Sequence, residues 1–336
     1  MKSDPHDLPG LGEMAVSRVH HLPGGRFFNP WLKVSTKGLL PLIKWRLSRN
    51  KYAPQKRTDP EFPLDRPDFV RLESQDGDYI VWLGHSTVYL RQDGVRLLFD
   101  PIFGNIVGVW PRKTPLPISP YDLPGVDLVC ITHDHHDHMD LASLRLLRER
   151  FDPTFVAGLG HKRSLAKAGV SKPVQLDWWD EMDWRAVKLR SVPVQHWCMR
   201  LGGLMDRALW CGFASTGRAS RVIYLGDSGY FSELKDIGRE LGPFDIALLP
   251  IGAYEPRWLM AEQHMDPAQA VQAALDLQAR TFVPIHWGTF DLSDEPLDLP
   301  PVEVREAYAT MKNDDPEIEQ RLHLQVLNHG GSLALG

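Results

Sequence analysis

Between Tyr79 and Phe99 the apolar residues come in three short bursts, Tyr79–Leu83, Thr87–Leu90 and Val95–Phe99, parted by polar or glycine-containing turns. Bursts rich in β-branched and aromatic residues predict strands joined as hairpins. Val126–Thr132 (VDLVCIT) is apolar at nearly every position, the pattern of a buried strand. A dense polar cluster follows, and then Leu141–Arg150 carries apolar residues at helical spacing. Further strands are predicted at Val187–Val194, Leu209–Ala214, Arg221–Leu225, Asp245–Leu249, Thr281–Ile285 and Leu322–Val326. Asp266–Ala279 is predicted as a helix with Asp266 as N-cap and Pro267 in its first turn, and Pro301–Lys312 as another. Hairpins first and strands mixed with helices later predict an α/β chain of two packed sheets with helices outside.

Residues 1–57 break this pattern and are expected to form an arm preceding a domain over 58–336. Within the arm, Gly38–Lys56 (GLLPLIKWRLSRNKYAPQK) places Leu39, Leu40, Leu42, Ile43, Trp45 and Leu47 beside Lys44, Arg46, Arg49, Lys51 and Lys56. A basic amphipathic segment can lie on a membrane surface. The plainer expectation is an arm packed on the domain with its charges in water, since Pro41 interrupts a clean helical period.

The 336 residues hold 43% hydrophobic and 24% charged residues, an ordinary globular balance, with a net charge of -5. A mildly acidic chain lacks the overall basic field of a nucleic-acid binder, and no nucleic-acid partner is expected. Three cysteines, Cys130, Cys198 and Cys211, form no C-x-x-C pair, which excludes a cysteine zinc module and fits a reducing compartment. No apolar stretch reaches 18 residues, and Met1–Gly10 lacks the apolar run expected of a secretory signal. The expected location is cytoplasmic, with the arm offering peripheral attachment to the inner membrane surface.

The candidate chemistry lies just after the buried strand. Thr132-His133-Asp134-His135-His136-Asp137-His138 spaces His133, His135, Asp137 and His138 as H-x-H-x-D-H. Residues two apart on an extended segment share a side, so His133 and His135 can bind one metal ion. Asp137 and His138, turning into the helix, can face a second. Imidazole nitrogen and carboxylate oxygen suit zinc and similar ions. Three other predicted strands end in the same kind of residue: His196 after Val194-Gln195, Asp227 after Leu225-Gly226, and His286 after Pro284-Ile285. A lone histidine after a strand is ordinarily a structural hydrogen-bonder; three such ends beside the histidine-dense loop argue for a shared site.

The order H-x-H-x-D-H, His, Asp, His resembles that of metallo-β-lactamase-fold hydrolases over about residues 78–330. The resemblance implies an αββα four-layer sandwich and two divalent ions, zinc being favoured, at one edge of the sheets. It implies His133, His135 and His196 at one metal, Asp137, His138 and His286 at the other, and Asp227 bridging. The strings WLGHSTVYL, LFDPIFG, ITHDHHDHMD, PVQHWCMR, YLGDSGY, QHMDPAQAV and PIHWGTF, with Phe28-Asn29-Pro30-Trp31 in the arm, resemble the N-acyl-phosphatidylethanolamine phospholipase D family. That likeness implies hydrolysis of N-acyl-ethanolamine phospholipids to phosphatidic acid and an N-acylethanolamine, and a homodimer. The loop's middle position is His136, where mammalian-type members look to have an aromatic residue.

Beyond the ligands, the likeness brings Asp137, Asp100, Gln263 and His264 to the chemistry. Asp100 is expected to accept a hydrogen bond from a ligating imidazole, or else to be a turn aspartate before Pro101. His264 is expected to contact or protonate the reacting group beside Gln263, or simply to pack. His85 in GHST is either a support of the site or structural. Trp110, Trp197, Met199, Tyr254, Trp258 and Trp287 are ordinary core candidates, and no acyl pocket is read from them. Two other outcomes are carried: a lactonase or sugar-phosphate hydrolase of the same fold, and an inactive metal-binding relic. The short stretch between His196 and Asp227 leaves no room for the long arm of tRNA-processing relatives.

Overall fold

A computed structural model describes residues 19–32, 39–75 and 77–335. The Met1–Gly10 region and Gly38 lie outside them. β1 (His21–Leu22) and β2 (Arg26–Phe27) make a small hairpin in the arm. β3 (Asp78–Trp82), β4 (Val88–Gln92) and β5 (Val95–Phe99) run antiparallel, and β6 (Leu128–Ile131), β7 (Thr154–Gly158) and β8 (Val174–Leu176) continue parallel to β5. β9 (Glu181–Trp184), β10 (Val187–Val192) and β11 (Gly212–Thr216) form an antiparallel meander into β12 (Arg221–Tyr224). β13 (Phe244–Pro250), β14 (Ala279–Ile285) and β15 (His323–Leu324) continue parallel to β12, and β16 (Ser332–Leu335) returns antiparallel to β3. The sheets are ordered β16-β3-β4-β5-β6-β7-β8 and β15-β14-β13-β12-β11-β10-β9.

Successive side chains on a strand point to opposite faces. In the first sheet Ile80, Trp82, Leu97, Phe99, Leu128 and Cys130 face the core shared with the second sheet. Tyr79, Val81, Leu98, Val129 and Ile131 face outward and are covered by Leu144 and Leu147 of the helix Leu141–Phe151. Both faces are buried, which is why these strands are apolar at nearly every position. The helix Pro267–Asp276 packs against β13 and β14 outside the second sheet, and a capping box closes its start: Asp266 accepts from Gln269 N, and Gln269 reaches back to Asp266 N.

This topology places the chemistry. β3 and β5 run the same way because each is antiparallel to β4, and β6 is parallel to β5. In the second sheet β10 runs with β12 because each is antiparallel to β11, and β13 and β14 are parallel to β12. The segments leaving the carboxyl ends of β3, β5, β6, β10, β12 and β14 carry His85, Asp100, the histidine-dense loop, His196, Asp227 and His286.

The arm differs from its expected form. Leu39–Leu47 is a helix with Pro41 inside it. A proline there costs little, because the first four helical N–H groups have no intrahelical acceptor. The charges are partly engaged: Lys51 Nζ lies 2.7 Å from Glu255 Oε1, and Lys56 Nζ lies 2.5 Å from Asp291 Oδ1. Trp45 Nε1 donates to Asp294 Oδ1 at 2.9 Å. These contacts fasten the arm beside the segments after β13 and β14.

Near the site, His329 is enclosed by the rings of Trp82, Trp287 and Phe62. Burial, with Arg112 adding to it, pushes its imidazole down to about 3. The unfolded chain, with a histidine near 6.5, binds a proton the folded chain refuses, so stability rises with pH between about 3 and 6.5 and is flat above. In cation-free protein, His329→Gln is expected to lose about 2–3 kcal/mol less than wild type between pH 7 and pH 4.5 in urea unfolding. Parallel losses in the two proteins would contradict this.

Candidate metal centre

The histidine-dense loop is held from both sides. Behind it, Asp100 accepts from Thr132 N at 2.8 Å, from Thr132 Oγ1 at 2.6 Å, from His138 Nδ1 at 2.8 Å and from the Tyr224 hydroxyl at 2.8 Å. In front, Arg200 donates to the carbonyls of Asp134 and Met139, both at 2.8 Å, and to His136 Nδ1 at 2.9 Å. Gly226 turns the chain toward Asp227 at φ +64, and a Cβ there would lie 2.6 Å from Thr132 Cγ2, so only glycine fits.

The hydrogen bonds decide which nitrogen of each ring carries a proton. A carboxylate accepts only, so His138 donates through Nδ1 to Asp100. Thr132 gives its hydroxyl proton to Asp100 and so accepts from His133 Nδ1 at 2.9 Å. His196 donates through Nδ1 to the Gln263 carbonyl at 3.0 Å. In its neutral form each ring then presents an Nε2 lone pair inward. There His133 Nε2 lies 2.9 Å from His135 Nδ1, and His196 Nε2 lies 3.1 Å from the same atom. His138 Nε2 and His286 Nε2 each lie 3.1 Å from an Asp227 oxygen. Even so, His138 Nε2, His286 Nε2 and Asp227 Oδ1 are buried without a hydrogen-bond partner.

This arrangement fits cations. Lone pairs facing one another repel, whereas ligands of one tetrahedral zinc ion sit about 3.3 Å apart. At this site the donor atoms form two compact four-residue sets, His133, His135, His196 and Asp227, and His85, Asp137, His138 and His286, with a third of Asp227, His264 and His286. Asp227 is near both, with Oδ2 lying 3.1 Å from His138 Nε2, 3.9 Å from His133 Nε2 and 3.8 Å from His196 Nε2.

Electrostatics divide the donor set. Burial holds His133, His135 and His196 below the ordinary histidine range, so they are neutral near pH 7, as ligands must be. Burial would push Asp137 and Asp227 up, but the neighbouring imidazoles, His138 foremost, hold both well below the carboxylate range. At His138, held well above the usual range by Asp227, Asp137 and Asp100, and at His286, raised to about 9 by Asp227 and Asp137, burial is outweighed, so without a cation both rings are protonated near pH 7 and a bound cation would displace that proton.

The remaining predicted residues are placed as follows. His264 stands at the rim, 12% exposed, with Nδ1 at 4.0 Å from Asp227 Oδ2; burial pushes it down to about 4. Gln263 turns its side chain to the Leu259 carbonyl at 3.0 Å, and it is its main-chain carbonyl that touches the site, through His196. Asp137 Oδ2 lies 3.0 Å from His85 Nε2. Asn29 of the arm donates to the His196 carbonyl at 2.8 Å, tying the Phe28-Asn29-Pro30-Trp31 string to the site. Arg200 is not visible from the sequence, because a guanidinium that works through two carbonyls and one ring nitrogen leaves no spacing signature. Arg257, which donates to the His264 carbonyl at 2.9 Å, is a second such residue.

Comparisons with known proteins agree with this picture. The profile described as Beta-lactamase superfamily domain matches residues 95–287. The chain is similar to "N-acyl-phosphatidylethanolamine-hydrolyzing phospholipase D 1" of Caenorhabditis elegans, at 32% identity over 71% of this chain and 71% of the worm protein. The mitochondrial protein of that description from Saccharomyces cerevisiae is 32% identical over 65% of this chain and 49% of its own. Among solved structures, Igni18, a metallo hydrolase of the archaeon Ignicoccus hospitalis, superposes with a TM-score of 0.59 at 21% identity, covering 78% of this chain and 99% of that one.

Proposed function

We propose, for a chain that belongs to the β-lactamase superfamily and, within it, to the N-acyl-phosphatidylethanolamine-hydrolysing phospholipase D family, that the cluster hydrolyses the phosphodiester bond of N-acyl-ethanolamine phospholipids. The protein is a metal-dependent hydrolase of the metallo-β-lactamase fold. In the proposed assignment His133, His135 and His196 hold one divalent ion, Asp137, His138 and His286 hold the other, and Asp227 serves both. Zinc suits this histidine-rich set. The chemistry supplied by such a pair, when bound, is activation of water near neutral pH and neutralisation of charge developing at phosphorus.

The chain's own residues orient the reaction. Asp100, directly and through Thr132, fixes the ring protons of His138 and His133. Gln263, through its carbonyl, does so for His196. His264, neutral at pH 7, stands 4.0 Å from Asp227, where it can hydrogen-bond the phosphoryl group or the departing alcohol oxygen.

The observation that carries the lipid assignment is exposed apolar surface. Large hydrophobic side chains are exposed on three segments, the arm helix and two loops that pack near the cluster. Leu40 and Leu47 lie on the arm helix, whose Lys44 sits over the exposed Trp258 ring at 4.6 Å. Val109 and Trp110 belong to the loop whose Ile106 packs on Phe290, the ring that meets His85. Leu201, 87% exposed, follows the Arg200 that holds the histidine-dense loop. Large exposed apolar side chains on these segments suit an apolar partner. Arg46 and Arg49 beside the arm leucines favour an anionic lipid surface.

The test is incubation with N-acyl-phosphatidylethanolamine vesicles, followed by mass spectrometry of the products. Expected are phosphatidic acid and N-acylethanolamine, both lost on chelation and regained with zinc. Ring opening of sugar lactones without lipid turnover would replace this reading with a lactonase. Bound metal with no hydrolysis of lipid or bis(p-nitrophenyl) phosphate would leave an inactive relic.

A further inference from the structure

His85 is buried, at 1% exposure, and its backbone sits at φ +50. A residue with a Cβ spends of order 1 kcal/mol or more to adopt that conformation, so the surroundings must enforce it. They do so on three sides. His85 N donates to Thr289 Oγ1 at 2.7 Å, and its carbonyl accepts from Trp82 Nε1 at 2.7 Å and from His286 N at 2.9 Å. The strained turn aims the ring at Asp137, with Nε2 lying 3.0 Å from Oδ2. That same oxygen faces His138 Nε2 at 3.6 Å and His286 Nε2 at 3.8 Å. The ring also lies on that of His286, with centroids 4.1 Å apart.

We infer that His85 is a positioning residue for the second cation, holding the Asp137 carboxylate with its side chain and the His286 main chain with its carbonyl. A carboxylate can only accept, so the His85 proton sits on Nε2, which leaves that atom no lone pair for an ion. His85 thus sets the direction of Asp137 Oδ2 without taking a coordination place. It touches no member of the first set, where Thr132 and Gln263 do the corresponding work. The consequence is selective: losing the His85 donor weakens the second cation and spares the first. This inference rests on the proposed pair of cations.

The experiment is cobalt(II) titration of cation-free wild type, His85→Leu and His85→Gln, followed by visible absorption and by chelator competition. Wild type is expected to take two equivalents. His85→Leu is expected to keep the first and to weaken the second by roughly 10–100-fold, the usual effect of losing a residue that orients a ligand. His85→Gln, whose amide N–H reaches a similar position, is expected to restore most of that loss. If His85→Leu does not fold, His85→Phe, of similar shape and lacking the donor, takes its place. Unchanged second-equivalent affinity, equal weakening of both, or a His85→Gln protein as impaired as His85→Leu would overturn the inference. Wild type taking fewer than two equivalents would overturn the pair of cations and this inference with it.

Discussion

Hydrolysis by the Asp227→Asn protein is expected to fall by about 10³-fold or more, together with loss of at least one bound cation. Asp227 is the carboxylate within reach of both donor sets: Oδ1 lies 3.1 Å from His286 Nε2, and Oδ2 lies 3.1 Å from His138 Nε2. Asparagine keeps its shape and its place after Gly226 but removes the negative charge. Neutralising charge at a reacting phosphoryl group is worth several kcal/mol, and each 1.36 kcal/mol is about tenfold in rate. Kinetics on a soluble diester and elemental analysis of the same sample check the two losses together. A variant holding both cations and turning over within about tenfold of wild type would remove Asp227 from its bridging place.

Asp100→Ala is expected to do a different kind of damage. Asp100 is fully buried and accepts from Thr132 N, Thr132 Oγ1, His138 Nδ1 and the Tyr224 hydroxyl. Alanine leaves these donors without an acceptor in a place water does not reach. Breaking a buried charged network from one side costs about 3–5 kcal/mol. It also frees the rings of His138 and His133, the second through Thr132, to take the wrong tautomer. Urea unfolding of the cation-free protein should show the stability loss, and chelator competition a weakening of about 10–100-fold in cation affinity. A stability loss under about 1 kcal/mol would mean that the network is replaceable.

How much of this was legible depended on how each residue acts. The histidine-dense loop could be seen because its donors are packed into six positions and follow a strand buried on both faces. Val95–Phe99 is legible to the residue for the same reason: its burial on two faces leaves a run that is apolar at every position but Arg96. Where apolarity serves burial without pairing, the boundaries slip. Leu209 and Cys211 are buried outside β11, bonding through their N–H groups to the Leu159 and Thr132 carbonyls, so the predicted Leu209–Ala214 became Gly212–Thr216. β9 was missed because Glu181–Trp184 lies on a sheet edge and alternates exposed with half-buried positions. Pro41 suggested a broken period, but it stands in the first turn, where a proline is tolerated. The supports of the site were hardest to see. Arg200 acts on carbonyls and Gln263 through its own carbonyl, and neither leaves a residue type at a telling spacing. His85 was seen only as part of GHST, since its contact with Asp137 depends on a turn conformation.

A pair of cations sharing Asp227 would be seen by diffraction from crystals of the metal-loaded protein at the metal absorption edge. Two anomalous peaks are expected about 3.5–4 Å apart. One belongs among His133, His135 and His196, the other among Asp137, His138 and His286, with Asp227 touching both. A single peak, or none within reach of Asp227 in protein that hydrolyses its substrate, would contradict the account.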